Sequence, residues 1–435
     1  MLTREQAQEL TSKVLKQTDA EQVEAILFST ATNSTRFSNN AITQNVGLLN
    51  QNLCLRVING KRQGTARVNQ FDDASIKRCV SNALAVARVG TEDASIQPLN
   101  DKQPKYEEVK SSFDSTVKST PAARAEAIGA ALKTYDKAGV EGAGIFDADQ
   151  AAIAYSNNKG VFTYRPATKA EFSISAFVKA GEIEGWAEGF ALDINKLDPA
   201  KAAARAMDKA LKGAEQIVAE PGEYTVILEP AAVAELMLFY GWLAGNGLAF
   251  AENRSFHHGK LGQKLLSDKL TITEDPYHPD LGGVPFDMEG FATQRVTLVD
   301  KGVIKGVCHD RRSAKLCKAE NTGHANMQPD SGGPGPSSIV VAMGDQTIEQ
   351  MIASTPRGLL ITKFHYTNVV DPMDLSLTGM TRSGTFMIEN GKVTKAVKNM
   401  RFTQSLLTAF AEVEAVGKDA HATGGALFGG NFVVP

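Results

Sequence analysis

The residues able to do chemistry begin with one carboxylate in apolar surroundings. Residues 229–245, EPAAVAELMLFYGWLAG, read as a helix: Pro230 stands in the first turn, where its missing N–H costs nothing, and the residues after it are apolar on nearly every face. Glu235 is the single charge inside that run. Such a carboxylate can activate a metal-bound water. A peptidase helix does this with His at i and i+4 and Glu at i+1. Here Ala234 precedes Glu235, and Leu238 and Phe239 occupy the two spacings that follow. None of the three can bind a metal, so the neighbours exclude zinc on this helix in either spacing.

Other candidate ligands are His257, His258, Cys308, His309 and Cys317. Neighbours on a strand point to opposite faces, so each adjacent pair offers one ligand at most. A rearranged metal site built from His257, His258, Cys308 and His309 is the chemical alternative. Solvent-facing or hydrogen-bonded structural histidines are the plainer reading, and the preferred one. No G-x-S-x-G elbow is present. The SGGPGPSS loop at 331–338 could cradle an anion with backbone N–H groups, but it lacks the Lys and the helix of a P-loop, and a surface loop is the preferred reading. Glu235 itself has a structural reading, hydrogen-bonded to backbone or to an Arg, because an unpaired buried carboxylate is costly.

The elements that position these residues are legible from punctuation. Residues 25–69 alternate β-branched and polar side chains and read as three or four strands, with Asn59-Gly60 as a type I′ hairpin turn. A helix follows at about 72–90, and a polar connection at 92–118. TPAARAEAIGAALKTYDKAG and DPAKAAARAMDKALKGAEQ begin with a cap and a proline, so both are helices, with strand-like alternation at 140–192 between them. The two helix-then-strands stretches resemble each other loosely, without a fixed period. AEPGEY at 219–224 marks a boundary between an N-terminal domain, 1–218, and a C-terminal domain, 219–435. The expected fold class is α+β, an α/β sandwich-like half followed by a β-rich half whose other helices lie near 347–356 and 404–415.

Composition narrows the function. The chain has 435 residues, 43% hydrophobic and 22% charged, with a net charge of -3. That is globular, and no Lys/Arg cluster supports nucleic-acid binding. The N-terminal stretch reads as a polar amphipathic helix rather than a signal peptide, and no run of about 18 apolar residues offers a membrane span. Four scattered cysteines fit a reducing cytoplasm.

Several stretches resemble the TldD/PmbA family, also known by an older name linking it to DNA gyrase. They are STRFSNNAITQ, CLRVINGKRQGTARVNQF, EYTVILEPAAVAELMLFYG, GKLGQKLLSDKLTITEDP, TLVDKGVIKGVCHDRRSAKL, AEVEAVGKD and, most specifically, LSLTGMTRSGTFMIENGKVTKAVKN. The resemblance implies a metallopeptidase relationship. TldD-like members carry an H-E-x-x-x-H helix and a later Cys as zinc ligands; PmbA/TldE-like members lack them and pair with a TldD-like subunit. The motif's histidines fall on Ala234 and Phe239 and its glutamate on Glu235, while 421–435 contains no Cys. The chain is thus similar to the PmbA side, with Glu235 a vestige of a catalytic position. The expectations that follow are no cofactor in this chain, zinc in a TldD-like partner, and unfolded or small peptides as substrates. A homodimer is expected when the partner is absent. The rivals are a stand-alone peptidase with the rearranged site and a non-enzymatic modulator of gyrase or toxin systems.

Overall fold

The computed structural model describes residues 1–178, 183–424 and 430–435. Its first half is built on one antiparallel sheet of six long strands: β1 (Gln22–Ser38), β2 (Ala41–Asn59), β3 (Arg62–Val68), β4 (Glu141–Asn157), β5 (Phe162–Val178) and β6 (Ile183–Ala191). Their order is β3-β2-β1-β4-β5-β6. Helices cover one face, and each starts where its cap predicts. Thr3 and Gln6 form a capping box on Arg4–Leu15, Asp72 caps Asp73–Val89, and Thr120 and Asp198 cap the proline-led helices Pro121–Leu132 and Pro199–Lys212.

The loose resemblance in the sequence is a structural duplication. Helix, three strands and helix occur twice, and β1 pairs antiparallel with β4 at the centre, from Glu24↔Asn157 to Phe37↔Gly144. The two units are thereby related by a pseudo-two-fold axis. Each second helix rests on a glycine of its outer strand. A Cβ at Gly64 would lie 2.1 Å from Ala83 O, and one at Gly185 would lie 2.1 Å from Ala206 O.

The hairpin turn differs from the expected one. Asn59 pairs with Arg62, so the turn residues are Gly60 and Lys61, and of these only Gly60 has positive φ. That is the II′ pattern, with Gly first, and not the I′ turn expected at Asn59-Gly60.

The second half contains two sheets. One is ordered Val303–Ile304, Val296–Asp300, Ile272–Glu274, Ser338–Val341, Asn431–Val434, His421–Gly424. The other is ordered Gln216–Ile217, Lys392–Val397, Ser376–Glu389, Arg357–Asp371, Thr225–Leu228, with Arg401–Ser405 also pairing the 376–389 strand. The helix Pro230–Ala244 shares one core with both: its Met237, Phe239 and Tyr240 join Ile272, Leu298 and Ile339 on one side and Leu359, Ile361 and Met387 on the other. A helix wrapped in this way must be apolar all round, which explains the run that flanks Glu235. Among the described residues, no helix is long and apolar enough to cross a membrane.

Candidate functional site, a charged seam between the two halves

Glu235 is partly buried on the 230–244 helix, which packs against the 357–371 strand. Burial raises its carboxyl above the usual range, while nearby Thr367 and Lys363 pull the other way. Thr367 Oγ1 is buried without a hydrogen bond of normal geometry among the described residues. Lys363 carries the site outward. Its ammonium lies 4.1 Å from the ring centre of Trp186 on β6, and its field reaches Glu184, Glu188 and Glu235. Burial lowers its pKa against those carboxylates.

The seam arises because β6 alternates. Ile183, Gly185 and Ala187 face the helices, so Glu184, Trp186 and Glu188 face the other way. Burial pushes Glu188 up to about 7, although the Thr423 hydroxyl donates to it at 2.5 Å. Glu184 accepts from Ser175 at 2.7 Å and pairs with Arg382 at 3.3 Å. Asp147 and Asp149 on β4, both raised by burial, lie close to Lys169 and Glu171 of β5. On the helix side of β6, Lys209 binds Glu229 at 2.5 Å, just before the Glu235 helix. Carboxylates therefore line the sheet face, and Lys363 and Arg382 come to it from the second half.

The other sequence candidates lie elsewhere. His257 is fully buried and held at both nitrogens: Nδ1 donates to Gly306 O at 2.9 Å, so Nε2 accepts from the Tyr240 hydroxyl at 2.8 Å. Burial lowers its pKa to about 4, which keeps it neutral. His258 is exposed, with Nδ1 3.0 Å from Phe250 O. Cys308 is buried, which raises its thiol far above the ordinary value. His309 Nδ1 lies 3.2 Å from Ser313 Oγ. Among the described residues, no three His, Cys, Asp or Glu side chains gather in a way that could hold a metal. The 331–338 loop is already committed to internal carboxylates: Gly332 and Gly333 N–H donate to Asp330, and Ser337 and Ser338 N–H to Glu274. Sequence reading missed Lys363, Arg382 and Glu188. The alternation in GEIEGWAEGF was the available signal, because it sets two acids and a Trp on one strand face.

Family comparison covers most of the chain in three consecutive pieces. Residues 23–87 match domain 1 of the PmbA/TldA metallopeptidases, 111–214 the central domain and 221–435 the C-terminal domain. The chain belongs to the PmbA/TldD family. It is 24% identical over 239 residues to a metalloprotease of Methanocaldococcus jannaschii, covering 53% of this chain and 51% of that one. It is 27% identical over 185 residues to the metalloprotease PmbA of Escherichia coli O157:H7, covering 41% and 38%. The chain thus spans about half the length, or less, of these two relatives. The crystal structure of TldE from Thermococcus kodakarensis superposes with a TM-score of 0.87 at 21% identity, covering 99% of this chain and 97% of that one, and it shows the shared fold.

The two positions on which the resemblance would place zinc-binding histidines do not fit a metal. Ala234 and Phe239 are buried at 5% and 3% exposure within the apolar core, and neither carries a donor atom. The 421–435 stretch, where the family's cysteine would fall, lies partly outside the described residues, and its sequence has no Cys.

Proposed function

We propose that this chain is the PmbA/TldE-like subunit of a TldD/PmbA-type peptidase, a non-catalytic or half-catalytic chain that helps to close the chamber of a TldD-like partner. The observation that carries this reading is the pair Ala234 and Phe239, apolar and core-packed where the motif requires histidines. The charged seam beside that helix is the surface through which the chain acts on peptide. A peptide held there as an added strand gains orientation and exclusion of water, and a subunit without metal ligands can supply both. Zinc belongs to the partner. The test is peptide cleavage by each protein and by their mixture, with and without chelator, beside elemental analysis of this chain prepared without a metal-binding tag. The expected results are much less than one zinc per chain, no cleavage by this chain alone, and chelator-sensitive cleavage by the mixture. About one tightly held zinc per chain, or chelator-sensitive cleavage by this chain alone, would instead favour the rearranged metal site.

A further inference from the structure

A cavity of about 290 Å³ lies beside the seam, where the C-terminal part of the Pro199–Lys212 helix meets the 376–389 strand. This is at the lower end of ligand-site volumes, and it suits a group no larger than one or two amino-acid residues. The strand breaks its regular pattern here. The ladder passes from Ile361↔Thr385 directly to Lys363↔Arg382, which leaves Thr362 opposite Ser383 and Gly384. Ser383 and Gly384 both have positive φ, 58° and 131°. Such a bulge re-aims side chains that would otherwise alternate strictly between the two faces of the sheet.

Two of the redirected hydroxyls, Ser383 and Thr385, line the cavity at 3% and 2% exposure, and neither has a hydrogen-bond partner among the described residues. Thr362, with no exposure and no partner among the described residues, adjoins them: a Cβ on Gly384 would stand 2.6 Å from its Oγ1. A buried hydroxyl left unpaired costs about 1–3 kcal/mol, so three together mark a place prepared for a polar group. The remaining wall tells what that group is. Arg382 brings a cationic donor and Gln216 and Asn399 bring amides, the Lys209 ammonium is committed to Glu229 and to Trp186 O, and Glu184 is the single carboxylate among the described lining residues. Arg382 uses its Nε on Glu184, and its two Nη groups make no hydrogen bond among the described residues. The donors left free are the Nη groups of Arg382, beside hydroxyls that can donate, so the group that complements them is an anion. One acid in the wall disfavours a dianion such as phosphate, and Phe177, Phe386 and Val397 add an apolar side suited to a small side chain.

We infer that this cavity binds the α-carboxylate end of a short peptide, with Arg382, Ser383 and Thr385 as its recognition group. The inference rests on the peptide reading given above and places the C-terminus of the peptide at the Arg382–Thr385 bulge. It is tested on the full chain alone, without partner or turnover, so a subunit that fails to support a TldD-like partner and a cavity that fails to bind carboxylate show in separate measurements. The probes are N-acetyl-L-alanine and N-acetyl-L-alanine amide, titrated by calorimetry and by amide NMR shifts. The acid is expected to bind saturably, and the amide at least about tenfold more weakly, the scale of one lost charge-assisted hydrogen bond. Arg382→Gln should weaken the acid by about the same factor. Thr385→Val keeps the shape, removes one donor, and should weaken it several-fold while the thermal melt stays cooperative. Equal binding of acid and amide, binding unchanged in both variants, or no binding of either probe, as for a cavity that holds only water, would overturn the assignment.

Discussion

Glu235 and Glu188 show how one cause, burial, acts on two carboxylates beside Lys363. If Glu235 is a vestige, Glu235→Gln should shift stability by at most about 1–3 kcal/mol, and a complex with a TldD-like partner should keep its turnover. A folded variant whose complex loses all turnover would show that Glu235 takes part in the chemistry. Glu188 gives a pH signature. Its folded pKa is about 7 against an ordinary 4.5. Between those values the unfolded chain has released a proton that the folded chain still holds, so stability falls as pH rises through that window and is level above it. Glu188→Gln removes this loss, so its advantage over wild type should grow from pH 5 to pH 8 in denaturant melts; parallel curves would refute it. His257 has the opposite sign. Its pKa falls from 6.5 to about 4, so the unfolded chain takes up a proton first and stability is lost as pH drops through that range. The ring ¹⁵N shifts should report a neutral Nδ1–H tautomer down to about pH 4.

At the scale of elements, the two helix-on-strand contacts are governed by missing side chains. Gly64→Ala and Gly185→Ala each drive a Cβ into helix backbone, at 2.1 Å from Ala83 O and Ala206 O. Backbone cannot rotate away as a side-chain tip can, so each change should destabilise by about 1–3 kcal/mol. Gly129 is the control. It lies inside the Pro121–Leu132 helix with nothing near its missing Cβ, and Gly129→Ala should stabilise by about 0.5–1 kcal/mol. Thermal melts of the three variants decide the matter, and equal effects at Gly64 and Gly129 would defeat the packing argument. Helix starts were readable here because a cap and a proline act locally: Thr120-Pro121 and Asp198-Pro199 sit where their helices begin. The duplication was readable only as a loose resemblance of two helix-then-strands stretches, because it resides in strand order and in two glycines, and neither imposes a sequence period.

For the whole molecule, the division proposed at residue 219 predicts that residues 1–218 form a folding unit. Their six-stranded sheet has its own two helix-covered cores. The fragment should melt cooperatively by circular dichroism, and a chain without a cooperative transition would rule the division out. It should be less stable than the same region in the intact protein. Lys209, 8% exposed, would lose Glu229, and a buried charge without its partner is strongly unfavourable.

What the sequence determined by itself was chemistry that depends on residue type. The side chains of Ala234 and Phe239 have no metal-binding atom in any fold, so neither position can ligate a metal wherever the chain places it. The α+β class followed too, since caps, prolines and alternation act over a few residues. The tertiary structure decided what depends on distant pairs. His257 is held between Tyr240 and Gly306, Cys308 is sealed in the core, and Lys363 is brought over Trp186 from the other half of the molecule. Burial and partnership arise when segments far apart in the chain meet, and no local pattern of residues specifies which ones do.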